Sequence, residues 1–224
     1  MSVIIFANGQ LEESAWLDPI LSQASAIIAA DGGAHHVVRL NLFPDIVIGD
    51  MDSLGQDVQL LLKTAGVSML VHPPEKDETD LELALLYAFE HYEDDIIVVA
   101  ALGGRLDQTL GNILLLTHDK LSGRRIEIRE PGQRAWLVRS RTEIEGKVGD
   151  TVSLVPLGGD VKIRATRGLH WPLMNEILSV GPSRGISNIM TDREANVFVE
   201  YGLLLCIHQD GISSREVEGS ESGD

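Results

Sequence analysis

Five apolar runs in the first 130 residues constrain this chain more than any other feature. VIIFA at 3–7, AIIAA at 26–30, DIVIG at 45–49, VSMLV at 67–71 and DIIVVAAL at 95–102 are continuously apolar and do not alternate with polar residues. That pattern is expected of strands buried on both faces, as in a parallel sheet flanked by helices. Helical patterns fill the intervals: AHHVVRLN, GQDVQLLLKTAG, TDLELALLYAFEHY and LDQTLGNILLLTHDKL. Alternating units of this size predict an α/β domain over 1–130, a doubly wound and mostly parallel sheet with helices on both faces.

The pattern changes at REPGQRA, 129–135, where a Pro-Gly turn signal falls. Short alternating segments follow (TVSLVPL, VKIRATRG, NVFVEYG and LLLCIHQ), separated by Gly, Pro and Asn. They predict an antiparallel β domain over 131–209. The remainder, 210–224, is rich in Ser, Gly and Glu and poor in apolar residues, and is expected to be a disordered acidic tail.

Charge narrows the functional classes. The net charge is −16, and the first 130 residues carry 21 acidic against 8 basic side chains. Such a chain is a poor nucleic-acid binder, because duplex affinity comes largely from neutralising phosphates. No apolar run is long enough to cross a bilayer. MSVIIFANGQ lacks a basic leader and reads as a first strand, so a cytoplasmic location is expected. The single cysteine, Cys206, excludes an intrachain disulfide, and a zinc site of the usual kind is not expected. His35 and His36 are adjacent, and side chains about 100° apart on a helix do not make a metal pair.

The acidic residues fall where an α/β fold places its ligands, after the strand runs. Asp31-Gly32-Gly33 follows AIIAA, Asp50-Met-Asp52 follows DIVIG, KDETD (76–80) follows VSMLVHPP, and Gly-Gly104-Arg105-Leu-Asp107-Gln108 follows IIVVAAL. Each has a local explanation: an Asp near a helix N-terminus, a capping box in Thr79 and Glu82, a tight turn at Gly103-Gly104. Asp50 and Asp52 resist one, because two side-by-side carboxylates repel unless a proton or cation sits between them. In an extended backbone, positions i and i+2 share a side. Together with Lys76, Arg105 and glycine turns offering backbone N–H groups, they suit Mg²⁺ shared with phosphates. The residues alone therefore support a Mg²⁺–nucleotide phosphotransferase. P-loop, dinucleotide-binding and G-x-S-x-G signatures are absent from the sequence.

In order and spacing, AADGGAHHVVRLNLFPDIVIGDMDSL, KDETDLELAL, LGGRLDQTLGN, VSLVPLGGDVKIRATRGLHWPL and GISNIM resemble the thiamine pyrophosphokinase family over about 25–205. The resemblance implies transfer of the diphosphoryl group of ATP to the hydroxyl of thiamine, giving thiamine diphosphate and AMP. It implies an α/β nucleotide-binding domain, a C-terminal β-sandwich, and a homodimer with thiamine bound near the subunit interface. Carried onto this chain, Asp50, Asp52, Asp80 and Asp107 would gather Mg²⁺–ATP and the reacting hydroxyl, with Asp50, Asp52 and Asp80 on the metal. Asp31, Gly32, Gly33, Lys76, Gly104, Arg105 and Gln108 would complete the nucleotide side. Asp77, Trp171, Ser187 and Asn188 would line the thiamine pocket. Ile189 departs from the acidic residue often found after the Ser-Asn pair. Two alternatives stay open: a pyrophosphokinase for another hydroxymethyl heterocycle such as a pterin alcohol, and a non-catalytic nucleotide or thiamine-diphosphate sensor.

Overall fold

The computed structural model describes residues 1–12 and 14–211. The chain divides into two compact units, Met1–Pro131 and Gly132 onward.

The first unit contains six parallel strands: β1 (Ser2–Phe6), β2 (Ala24–Ala30), β3 (Ile46–Gly49), β4 (Ser68–Val71), β5 (Asp95–Val99) and β6 (Ile126–Glu130). Their order is β6-β5-β1-β2-β3-β4, every neighbouring pair parallel. Five of them coincide with the apolar runs; β6, with only the short IEI core, gave no clear sequence signal. Five helices connect them: α1 (Asp18–Leu21), α2 (Gly33–Arg39), α3 (Gln56–Thr64), α4 (Asp80–His91) and α5 (Leu106–Leu115). Ile4 and Phe6 of β1 share a core with Val37 of α2 and Leu62 of α3. Their neighbours Val3 and Ile5, also fully buried, point to the opposite face. There α4 packs on β1, β2 and β3. Helices thus cover both faces, which explains the continuous apolar runs. β4 is the exception. It is the sheet edge, with Val71 63% exposed, so its apolar run does not report burial on both faces.

The second unit departs from the expected series of short strands. Gly158-Gly159 and Gly202 do not separate elements; they lie inside two long strands, β9 (Thr151–Arg167) and β12 (Glu194–Gln209). β12 runs antiparallel to β9 along its length, with register shifts between Phe198 and Leu203. One half of the pair, 151–157 with 203–209, adds β7 (Gln133–Val138) beside β12 and β11 (Asn188–Ile189) beside β9. The other half adds β8 (Arg141–Glu145) and β10 (Met174–Leu178). Side chains from both halves, among them Leu154, Leu204, Ile163 and Val197, join one core. The bent strands therefore make two packed antiparallel layers.

Asp210 and Gly211 belong to this unit and not to a tail. The Asp210 N–H donates to Gly132 O (2.8 Å), and the Gly211 N–H to Asp150 Oδ1 (2.9 Å). The rest of the expected tail lies outside the described residues. Buried Asp150 also accepts from the Lys147 N–H (2.7 Å) and lies 2.9 Å from His208 Nε2. Burial alone would raise its pKa, but these donors reverse the effect and hold the carboxyl below its ordinary 3.8. A depressed pKa means that Asp150 contributes fully above the ordinary value and loses its contribution as pH falls through the folded one. Asp150→Ala is expected to destabilise the protein by about 3 kcal/mol at neutral pH, leaving His208 and two N–H groups unpartnered. Urea unfolding of the two proteins at pH 7 and at pH 3 checks this, the difference shrinking at the lower pH.

Candidate active site

The sheet order reverses between β1 and β5, and in open α/β sheets the ligand crevice lies outside the carboxyl ends at that point. A cleft of about 590 Å³ opens there, lined only by the first unit. Its walls come from the ends of five strands: Asn8–Gln10 after β1, Asp31 after β2, Asp50, Asp52 and Ser53 after β3, Lys76 and Glu78–Asp80 after β4, and Ala101 and Gly103–Arg105 after β5. Backbone bonds tie the first and last of these together, Gly9 N–H to Ala100 O (2.8 Å) and Gln10 N–H to Leu102 O (3.0 Å).

Asp31, Asp50 and Asp52 converge, each offering a carboxylate oxygen with all three oxygens within 4.8 Å of one another. The Asp50/Asp52 pairing is as expected, but its geometry is not. Met51 between them has φ 66°. The two aspartates are therefore gathered by a left-handed turn, in which the Asp52 N–H donates to Asp50 Oδ1 (3.1 Å). Strain of this kind is concentrated at the cleft. Of six described non-glycine residues with positive φ, Asp31 (41°), Met51 and Ala100 (54°) stand just beyond β2, β3 and β5. Each costs on the order of 1–3 kcal/mol, tolerated where the surrounding structure holds it. Asp31 is 3% exposed. No donor among the described residues reaches its buried Oδ1.

Lys76 stands beside the cluster. Its Nζ lies 2.9 Å from Asp80 Oδ1 and 3.5 Å from Asp50 Oδ2. The Asp52 N–H, helped by Lys76 and opposed by burial, holds the Asp50 carboxyl below the usual range. Burial pushes Asp80 up, its bond to Lys76 only partly offsetting that, with Asp31 and Asp50 adding repulsion. Burial works against the Lys76 ammonium, yet Asp80 and Asp50 raise its pKa on balance, so it stays charged. Asp80 is also the first residue of α4, whose N-cap Thr79 accepts from the Glu82 N–H (3.2 Å), the N-cap half of the expected capping box. Asp80 thus pairs with the lysine, while Asp31 takes the third place in the carboxylate cluster.

Other expected residues are distributed unevenly. Gly104, Arg105 and Gln108 line the cleft; Asp107 and Asp77 do not, and both are exposed. Asp107 instead pairs with Arg105 through two hydrogen bonds, of 2.6 and 3.2 Å, depressing its own pKa and raising that of Arg105. Gly32 and Gly33 make room for packing and do not line the cleft: a Cβ on Gly33 would stand 2.1 Å from Phe6 O. His35 and His36, not expected as ligands, brace cleft loops through Ser53 O (3.0 Å) and Gly9 O (2.9 Å). Asn8, Gln10, Ser53 and Asn112 also line the cleft and were missed. The position of ANGQ at the end of the first strand run was the available signal.

In the second unit, the Asn188 amide holds a turn. Its Oδ1 accepts from the Trp171 and Ile189 N–H groups (3.0 and 2.9 Å), and its Nδ2 donates to Trp171 O (2.7 Å). The indole of Trp171 is 48% exposed and meets His170 edge-on at 4.5 Å. Ser187 has φ 59°, and its N–H donates to Ser153 Oγ (3.0 Å).

Two family models match this chain: the catalytic domain of thiamin pyrophosphokinase over residues 17–128, and the vitamin B1 binding domain of thiamin pyrophosphokinase over 141–204. The chain belongs to the thiamin pyrophosphokinase family. The two matched stretches fall in the first and second units respectively. Thiamine pyrophosphokinase from Bacillus subtilis is 28% identical over 182 residues, covering 80% of this chain and 85% of that protein. The crystal structure of thiamine pyrophosphokinase from Bacillus subtilis superposes with a TM-score of 0.84 at 24% identity, over 95% of this chain and 100% of that one. That of the Geobacillus thermodenitrificans protein gives 0.81 at 26%, over 95% and 99%. The mixed α/β and antiparallel β architecture is thus a shared one.

Gly49, just before the paired aspartates, tests how closely this site is packed. A Cβ there would stand 2.8 Å from Asp31 Cβ and 3.0 Å from Asp80 Oδ1. Gly49→Ala is expected to cost about 1–3 kcal/mol of stability through overpacking, read by thermal unfolding.

Proposed function

We propose that this chain is a thiamine diphosphokinase that transfers the diphosphoryl group of ATP to the hydroxyl of thiamine, with Mg²⁺ held by Asp31, Asp50 and Asp52. The observation carrying the metal assignment is the buried Asp31 Oδ1, which no donor among the described residues satisfies, beside two further carboxylates. An orphaned buried carboxylate oxygen is costly, and a cation removes the cost. Three carboxylate oxygens within 4.8 Å of one another are close enough to share one cation. The all-oxygen, partly solvated donor set suits Mg²⁺ better than a thiophilic metal. When bound, Mg²⁺ supplies charge neutralisation to the phosphates.

The chain's own groups supply the rest. Lys76 and Arg105 meet phosphate charge, Arg105 by leaving its exposed partner Asp107. The left-handed turn at Met51 holds the aspartates in place before substrate arrives, so little reorganisation is required during reaction. The thiamine hydroxyl attacks the β-phosphorus, the bond from the β-phosphorus to the α,β-bridging oxygen breaks, and AMP leaves. The hydroxyl proton passes to a cleft carboxylate; Asp80, raised by burial where Asp50 is lowered, is the more basic of these two. The strongly acidic domain disfavours bare ATP and attracts cationic thiamine. Thiamine recognition is assigned to the second unit, with the exposed Trp171 indole as contact and Asn188 as the residue that positions it. A homodimer in the cytoplasm completes the reading; no helix among the described residues is long and apolar enough to cross a membrane.

Purified protein with ATP, Mg²⁺ and thiamine is expected to give AMP and thiamine diphosphate in equal amounts by chromatography. ADP in place of AMP would overturn the β-phosphorus assignment, and AMP formed only with another heterocyclic alcohol would overturn the substrate. Asp50→Ala should lower the rate on the order of 10²-fold or more.

A further inference from the structure

The carboxylate cluster has a cation of its own. Lys76 Nζ lies between Asp80 Oδ1 (2.9 Å) and Asp50 Oδ2 (3.5 Å), with only 12% of the lysine side chain exposed. Asp50 is common to this ion pair and to the three-carboxylate group. Its other oxygen, Oδ1, is already occupied by the Asp52 N–H. A divalent ion entering the cluster must therefore approach the carboxylate that the ammonium already neutralises. Like charges that close oppose one another strongly in a partly desolvated site.

We propose that Lys76 is a tethered counter-ion that keeps the cluster closed to a free divalent cation and opens it when phosphate draws the ammonium away. Metal and nucleotide binding are then coupled through one side chain, and the coupling is reciprocal. ATP would supply the anion that releases Lys76 from Asp50, and the ammonium's departure would leave the Asp50 carboxylate free to hold the metal. The lysine is suited to such a move. It belongs to the segment between β4 and α4, on a flexible four-carbon stem, and its ammonium can rotate its donors from one anion to another. Arg105 is differently placed, paired with exposed Asp107 at the lip and remote in hydrogen-bonding terms from the three-carboxylate group. The result is an ordered site: metal is admitted as part of a metal–nucleotide complex, and the cluster is not filled by the free ion.

This inference rests on the metal assignment made above, and the test separates the two. Mn²⁺ serves as the probe, its binding followed by electron paramagnetic resonance and calorimetry without thiamine, so that no turnover enters the readout. Wild-type protein alone should bind Mn²⁺ weakly, and a non-hydrolysable ATP analogue should strengthen that binding. Lys76→Met should bind Mn²⁺ alone about tenfold more tightly than wild type, and the analogue should then add much less. Lys76→Gln keeps a polar head and gives the same comparison where methionine packs badly. Adding Asp50→Asn to either variant should abolish the gain. Mn²⁺ affinity unchanged in both lysine variants, with the analogue's effect intact, would overturn the counter-ion role. Mn²⁺–analogue binding that survives Asp50→Asn in the otherwise wild-type protein would instead overturn the metal assignment, and the inference with it.

Discussion

Mutual repulsion among carboxylates is the constraint around which the first unit is organised. Asp31, Asp50, Asp52 and Asp80 stand beyond three consecutive strand ends of one sheet, and water screens Asp31 little because it is only 3% exposed. Charges held this way require compensation, and the structure supplies it unequally. Asp50 has the Asp52 N–H and Lys76; Asp80 has Lys76; Asp31 Oδ1 has nothing among the described residues. The deficit is local and points to a cation. The backbone bears part of the cost as well, in the left-handed conformations of Asp31 and Met51. A site that stores both charge repulsion and backbone strain is less stable by itself than with its ligand, which is how binding energy and positioning become linked.

The rest of the fold keeps this arrangement from relaxing. Parallel strands bring their carboxyl ends to the same edge, so four or five loops converge without any of them being long. The reversal of order between β1 and β5 leaves a gap there, and the Gly9–Ala100 and Gln10–Leu102 bonds set its width. Asn112 pins the same loop from α5, its Nδ2 donating to Ala101 O (2.7 Å), and Glu130 accepts from the N–H groups of Ala101 and Leu102 (3.1 and 3.3 Å). Burial raises the pKa of Glu130, so its charge is held at some cost to stability. None of these residues belongs to the carboxylate cluster, yet each fixes a wall of the cleft.

How much of this was legible in the sequence depended on the kind of signal. Strands buried on both faces announce themselves because desolvation leaves no tolerance for polar residues. The acidic residues after them were legible for the same reason, since each marks where burial ends. Direction was not legible. Asp77, in the loop after β4, and Asp107, in the first turn of α5, carry the right chemistry beyond the right strand ends but are exposed, because loop φ and ψ values and helix phase are not revealed by composition. The turn at Met51 is the clearest instance: an extended backbone predicted the meeting of Asp50 and Asp52, and a left-handed residue accomplishes it. In the second unit, glycines that read as breaks are hinges inside β9 and β12, because a bulge accommodates glycine as well as a loop does. Asn8 and Gln10 carried no charge and were passed over.

On the proposed reading the two units divide recognition by its physics. In the first, the diphosphoryl group is met by charges, so the cleft needs few apolar contacts. In the second, the polar groups are spent on the protein itself. Asn188 commits its amide to the backbone on either side of Trp171, and the Ser187 N–H is committed to Ser153. What remains outward is a half-exposed Trp171 on a turn whose backbone Asn188 holds. Such a residue offers contact area without its backbone having to order on binding, and on the proposed reading its π face suits a cationic ring. On the proposed reading, discrimination among heterocyclic alcohols comes from that shape and charge preference in the second unit. Commitment to diphosphoryl transfer comes from the carboxylates of the first, so the two properties can vary independently by substitution.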